Sequence, residues 1–169
     1  AGLNTYLANL GPAAPVKNLS EIIAFNEENQ DRSMPFFGQE ILIASDEKGP
    51  LSDSAYNDAL SNNRRYSRSE GIDSVMNQHS LDALVAPTGN PAWLTDHING
   101  DQGSGYSSRP AAVAGYPSIT VPMGFVAGLP VGISFFGRAW SEPTLLKIAY
   151  AYEQANTHRR PPKFLKTLG

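Results

Sequence analysis

The sequence predicts the α/β class, and three observations carry that prediction. Residues from Ser52 to about His79 follow the helical period through Ala55, Tyr56, Ala59, Leu60, Asn63, Tyr66, Ile72, Val75 and Met76. They lead into the compact apolar segment Leu81-Asp82-Ala83-Leu84-Val85-Ala86, stopped by Pro87. Two more strand-like runs, 118–125 and 131–136, flank a turn built from Val126-Ala127-Gly128-Leu129-Pro130. A long helix running into a short apolar strand is the αβ pattern of a covered sheet.

Each element has a local reason. Residues 1–10 read as helix, ended by Gly11-Pro12. Asn18 or Ser20 can cap a second helix with Leu19, Ile22, Ile23 and Phe25 on one side. Residues 39–45 fit either a helical turn or a short strand, with Gly49-Pro50 as a breaker. Ser52 suits the cap of the long helix, and Leu51 with Tyr56 suits a hydrophobic staple. Gly71 weakens that helix by about 1 kcal/mol against alanine without having to break it. Pro110 fits the first turn of a short helix that Gly115 stops. The last helix starts near Ser141, tolerates Pro143 in its first turn and buries Leu145, Leu146, Ala149 and Tyr152. His158, Arg159 and Arg160 suit its C-terminal dipole, and Pro161-Pro162 end it. No internal repeat or second domain is visible, so residues 1–169 read as one domain.

Composition narrows the function classes. With 41% hydrophobic and 17% charged residues the chain is globular rather than disordered. The net charge of -3 and the isolated pairs Arg64-Arg65 and Arg159-Arg160 supply no basic face for nucleic acid. No apolar run approaches the roughly 20 residues that span a bilayer. Cysteine is absent, which excludes disulfides and thiolate metal sites. The chain begins at Ala1 inside helix-like sequence and so reads as cut or truncated; Ala1 offers no side chain for an N-terminal nucleophile.

The long segment 90–108, rich in Gly, Asp, Asn and Ser, holds most candidate chemistry. Gly103-Ser104-Gly105-Tyr106-Ser107-Ser108 matches neither a phosphate cradle nor a nucleophile elbow and reads as a connector or, failing that, a nucleophile loop. His97 could act as a general base if a Ser and a carboxylate converged on it. Asp96 and Asp101 could pair as acid and base or bind calcium, although the DxDxDG spacing is missing; turn chemistry is the simpler use. Trp93 lies just beyond the C-terminal end of the 81–87 strand, where ligands gather in open αβ sheets, and serves as a substrate contact or as a lid on its own loop. Phe36, Phe37 and Gln39 have the same two readings. No cofactor or metal is expected.

Four pieces in order carry a family resemblance. Leu81-Asp82-Ala83-Leu84-Val85-Ala86-Pro87-Thr88, Pro110-Ala111-Ala112-Val113-Ala114-Gly115-Tyr116-Pro117-Ser118-Ile119-Thr120-Val121-Pro122, Gly128-Leu129-Pro130-Val131-Gly132 and the helix from Thr144 to Glu153 resemble the closing third of an amidase signature enzyme. Met34-Pro35-Phe36-Phe37-Gly38-Gln39-Glu40 and the surroundings of Asn99-Gly100-Asp101 are most similar to its peptide-amidase-like branch. The resemblance implies a mixed sheet flanked by helices. It also implies hydrolysis of a carboxamide C–N bond by a Ser nucleophile, relayed through a second Ser to a Lys, with backbone N–H groups holding the oxyanion. The GGSSGG signature that bears these groups has no match here, so no catalytic residue carries over. What carries over is substrate shaping by Thr88, Trp93, Asn99 and Asp101.

The expectation is therefore the C-terminal portion of an amidase, inactive alone, whose parent takes a small amide or peptide amide. An exposed apolar face is expected where the missing part would pack, or where a second copy would make a homodimer. The alternatives are the A-type subunit of a tRNA-dependent amidotransferase and a non-catalytic binding or scaffold domain.

Overall fold

The structure, a computed structural model, describes residues 1–100, 103 and 105–164. The chain groups into two compact units, Ala1–Ala59 with Thr95–Gln102, and Leu60–Leu94 with Gly103–Gly169.

The first unit holds short helices: α1 (Gly2–Asn9), α2 (Leu19–Glu28), α3 (Gln30–Ser33) and α4 (Glu40–Asp46). Asn18 caps α2 by accepting a bond from the Glu21 N–H at 2.9 Å, which satisfies an otherwise orphaned donor. The Asn4 side chain accepts from the Leu19 N–H at 2.9 Å and ties α1 to the start of α2. The open choice for residues 39–45 resolves as helix α4. Its neighbour Gln39 is buried and donates to the Ile23 carbonyl (3.0 Å) and to Glu27 (3.1 Å), joining α4 to α2.

Helix α5 (Ser54–Ser67) carries the chain into the second unit. It starts two residues after the expected cap Ser52, because the Asp53 carbonyl takes the first helical bond, from the Asn57 N–H at 3.1 Å. The expected single helix to His79 is interrupted by a π-turn (Arg68–Ile72) before α6 (Asp73–Gln78). Gly71 adopts φ -115° and ψ -110° there, so it breaks the helix that it was expected only to weaken.

Three antiparallel strands follow in the order β1-β3-β2: β1 (Leu84–Pro87), β2 (Ser118–Val126) and β3 (Leu129–Phe136). The turn between β2 and β3 is tighter than the sequence suggests. Ala127 and Gly128 both take positive φ (48° and 79°), a two-residue turn whose twist matches the strands. Pro130 continues β3 opposite Phe125, beyond the reach of β1, where its missing N–H costs no ladder bond on that side. Between β1 and β2, α7 (Arg109–Ala114) carries Pro110 in its first turn and ends at Gly115, whose φ of 67° suits a glycine cap.

Alternation along β3 splits the core between the two faces of the sheet. Phe136 packs with Ile72, Met76, Ala111 and Ala114 from the π-turn, α6 and α7. Phe135 packs on the other face with Val121, Leu145 and Ala149, the last two from α8 (Glu142–Ala155). The α/β class thus holds, with the strands of this chain all antiparallel among the described residues. Arg68 fastens the π-turn to α7 through a 2.7 Å bond from Nε to the Ala114 carbonyl. The Tyr116 hydroxyl donates to Asp73 at 2.8 Å; burial, and then that bond, hold the phenol above its ordinary pKa. Helix α8 ends at Asn156, whose extended backbone (φ -135°, ψ 134°) turns the chain away. His158, Arg159 and Arg160 therefore lie beyond the helix rather than in its last turn, and Arg160 sits over the Phe125 ring at 4.9 Å.

Candidate functional site

Thr88, Thr120 and Ser134 reach one another because the strand register puts them on one face. Strand β1 ends at Pro87, yet the Thr88 N–H still bonds to the Gly132 carbonyl at 2.8 Å, which extends the ladder by one residue. Its side chain therefore shares a face with Leu84 and Ala86. Thr120 pairs with Ser134 across β2 and β3. Thr88 Oγ1 lies 2.8 Å from Ser134 Oγ, Thr120 Oγ1 lies 2.7 Å from Ser134 Oγ, and the two threonine hydroxyls are 3.3 Å apart. Ser134 is only 4% exposed, whereas Thr120 is open to solvent. The cluster thus runs from the Phe136 side of the core out to the surface.

Gly132 makes this convergence possible. A Cβ there would lie 2.8 Å from both Thr120 Cγ2 and Thr88 Oγ1, so only glycine lets the threonines close over the strand. Gly132→Ala is expected to destabilise the chain by about 1–3 kcal/mol through overpacking. Urea unfolding monitored by circular dichroism checks it.

The cluster's chemistry follows from its partners. A hydroxyl becomes a nucleophile when a neighbouring base takes its proton. Here each hydroxyl is bonded to another hydroxyl, an arrangement that positions and presents polar groups without activating them.

The chain after Thr88 is held against the sheet end. The Ser107 N–H returns to bond the Thr88 carbonyl at 3.2 Å, and the Trp93 and Tyr106 rings pair with centroids 6.2 Å apart at 51°. The segment 103–108, read from sequence as a connector or nucleophile loop, is in this way anchored at Ser107. Thr88 and Trp93 belong to the second unit and Asn99 to the first. Asp101 lies outside the described residues.

Asn99 takes part in a side-chain turn. Asp96 accepts from the Ile98 and Asn99 N–H groups at 2.9 Å each and from the Asn99 amide at 2.8 Å. Those bonds, led by the Asn99 N–H, hold the Asp96 carboxyl below its ordinary pKa. This is the turn chemistry that the segment suggested. In the same unit His97 stacks on Phe36, with centroids 4.0 Å apart and the planes 13° from parallel. A cavity of about 300 Å³ nearby in that unit is lined by Asn26, Met34, Phe37, Gln39 and Ile41 among others.

The sequence reading missed Thr120, Gly132, Ser134 and Tyr106. A signal for two of them exists: Thr120 and Ser134 are polar residues inside largely apolar strands. Nothing local announces that these positions face Thr88.

Comparison with known proteins places the geometry. The Amidase family model matches residues 5–146. The crystal structure of native peptide amidase from Stenotrophomonas maltophilia is 48% identical with a TM-score of 0.86, over 96% of this chain and 32% of its own. A probable amidase of Arabidopsis thaliana is 36% identical over 165 residues, 96% of this chain and 28% of the plant protein. The A-type subunit of a glutamyl-tRNA(Gln) amidotransferase from Clostridium acetobutylicum is 44% identical over 80 residues, 44% of this chain and 16% of its own. The chain thus spans less than a third of the curated amidase that it matches almost end to end. The α/β architecture, the ordered motifs and the family match together show that this chain belongs to the amidase family and is similar to peptide amidase along nearly its whole length.

Proposed function

We propose that the chain is the C-terminal portion of an amidase that cleaves a carboxamide C–N bond through an acyl-serine intermediate, and that it shapes the substrate end of the site without supplying the nucleophile. One observation carries this reading. Similarity to a peptide amidase runs along 96% of the chain, while the sequence has no GGSSGG signature. In the proposed reaction a Ser Oγ from outside this chain attacks the amide carbon and loses its proton to the base. The C–N bond breaks, the nitrogen leaves protonated as ammonia or amine, and water then releases the acid. Thr88 and Trp93, which follow β1, are proposed to face the acyl part of the substrate.

Apolar side chains left exposed support the idea that more protein packs here. They include Leu3, Ile41 and Ile98 in the first unit and Val85, Leu94 and Trp140 in the second. The occupant is proposed to be the remainder of a longer amidase, and a homodimer is the alternative. The amidotransferase reading is second, favoured by 44% identity over 80 residues, but that match covers 44% of the chain where the amidase matches cover 96%.

A serine-reactive fluorophosphonate tests the proposal. The isolated chain is expected to show no labelling and no release of ammonia from a C-terminal peptide amide. Adding the signature-bearing two-thirds of a peptide amidase is expected to restore both, with the label on the added part. Labelling of this chain at Ser104, Ser107 or Ser108 would overturn the proposal.

A further inference from the structure

We propose that Tyr106, paired with Trp93, is a specificity determinant that receives a flat aromatic side chain of the substrate; this rests on the amidase reading. The Tyr106 ring is held between two glycine backbones. A Cβ on Gly89 would lie 2.9 Å from Tyr106 Cδ1, and one on Gly103 would lie 3.2 Å from Cε2 and from the hydroxyl oxygen. The Gly103 position would also meet Trp93 Cη2 at 3.4 Å. A side chain at position 89 would force the ring to shift, and one at position 103 would crowd it. Another glycine of the segment, Gly105, takes a φ of 76° and approaches the Asn90 side chain so closely that a Cβ would lie 2.8 Å from Oδ1.

These contacts pack the two ends of a segment that has no helix or strand of its own between Thr88 and Ser108 among the described residues. The ladder bond at Thr88 and the return bond from Ser107 anchor its two ends at the same carboxyl end of β1. A loop built only to close on itself would hide its aromatics. Here Tyr106 is 54% exposed and Trp93 42% exposed, and the adjacent Leu94 is 80% exposed. Two rings 6.2 Å apart and tilted by 51° form an aromatic pair whose exposed outer faces a third ring can meet edge-to-face. Large, pre-oriented aromatic side chains lose little entropy on binding, which makes them effective anchors. A methyl side chain offers no ring to pair with Tyr106 and Trp93, so the pair discriminates by ring contact.

The chain carries two tryptophans, Trp93 and Trp140, which makes the idea directly measurable. In the Trp140→Phe chain, Trp93 emission is titrated with N-acetyl-phenylalanine amide and with N-acetyl-alanine amide. The phenylalanine amide is expected to give a saturable change at a concentration at least tenfold below any seen for the alanine amide. Tyr106→Ala is expected to weaken that response at least tenfold, while Tyr106→Phe retains it. Gly89→Ala, which keeps Tyr106 but displaces its ring, is expected to behave like Tyr106→Ala. Equal responses to both amides, no saturation, or an unchanged response in both Tyr106→Ala and Gly89→Ala would overturn the proposal. The fluorescence readout needs no nucleophile, so a failed amidase reading appears separately, as absent turnover after complementation despite ring binding.

Discussion

Replacing Leu145 with alanine is expected to lower the unfolding free energy by about 2–5 kcal/mol. Leu145 is 2% exposed and is one of the two largest side chains buried almost completely. It sits where α8 meets the sheet, among Val121, Phe135 and Ala149 with Ile119 and Ile133 at the margin. The strand residues in that group are held in register by hydrogen bonds and cannot collapse into the space left behind. The loss is therefore expected toward the upper part of the range. Leu146 provides the control, because one residue along the same helix it is 58% exposed. Leu146→Ala should cost less than about 1 kcal/mol. Urea titrations should show a lower midpoint for Leu145→Ala with an unchanged slope, since the area exposed on unfolding barely changes. Equal losses at both positions would mean that α8 does not seat its 145 side on the sheet.

What the sequence makes legible here is local chemistry. Asn18 caps α2, Pro110 and Gly115 bracket α7, and Ala127-Gly128 turns β2 into β3, each through groups within a few residues of one another. The candidate site is different. Thr88, Thr120 and Ser134 are separated by 32 and 14 residues in sequence and meet only because β1 and β2 both pair with β3 in one particular register. A shift of one residue would send Ser134 to the α8 face. Sequence periodicity gives the face alternation of each strand but not its partner, so Thr88 is singled out only through the family resemblance, while its two neighbours are not. Tyr106 escaped notice for another reason. A run of glycines and serines reads as a flexible connector, and only the approach of Gly89 and Gly103 to one ring reveals a loop packed around an aromatic. Kinship with peptide amidase was legible because motif order survives without knowledge of pairing.

Gly71→Ala is the second large effect, expected at about 3 kcal/mol. The helix propensity scale alone would make this substitution favourable by about 1 kcal/mol, so the two arguments predict opposite signs. Geometry decides between them. A Cβ on Gly71 would stand 2.3 Å from the Tyr66 carbonyl oxygen and 3.2 Å from its carbon, and both are backbone atoms that no rotamer change can move. Relief would require opening the π-turn. That turn places Ile72 and Met76 beneath Phe136 and lets Arg68 reach the Ala114 carbonyl at 2.7 Å. Straightening it into continuous helix would shift those residues around the helix axis and pull Ile72 and Met76 off the sheet. The cost should therefore be shared between steric clash and lost burial on the hydroxyl-bearing face. Thermal and urea unfolding of Gly71→Ala measure the sum. Amide hydrogen exchange at Ala114 and Tyr116 locates it, with faster exchange expected there than in α8. A stabilised Gly71→Ala chain would show that residues 54–78 prefer one continuous helix and that the break at Gly71 is not what seats Met76 in the core.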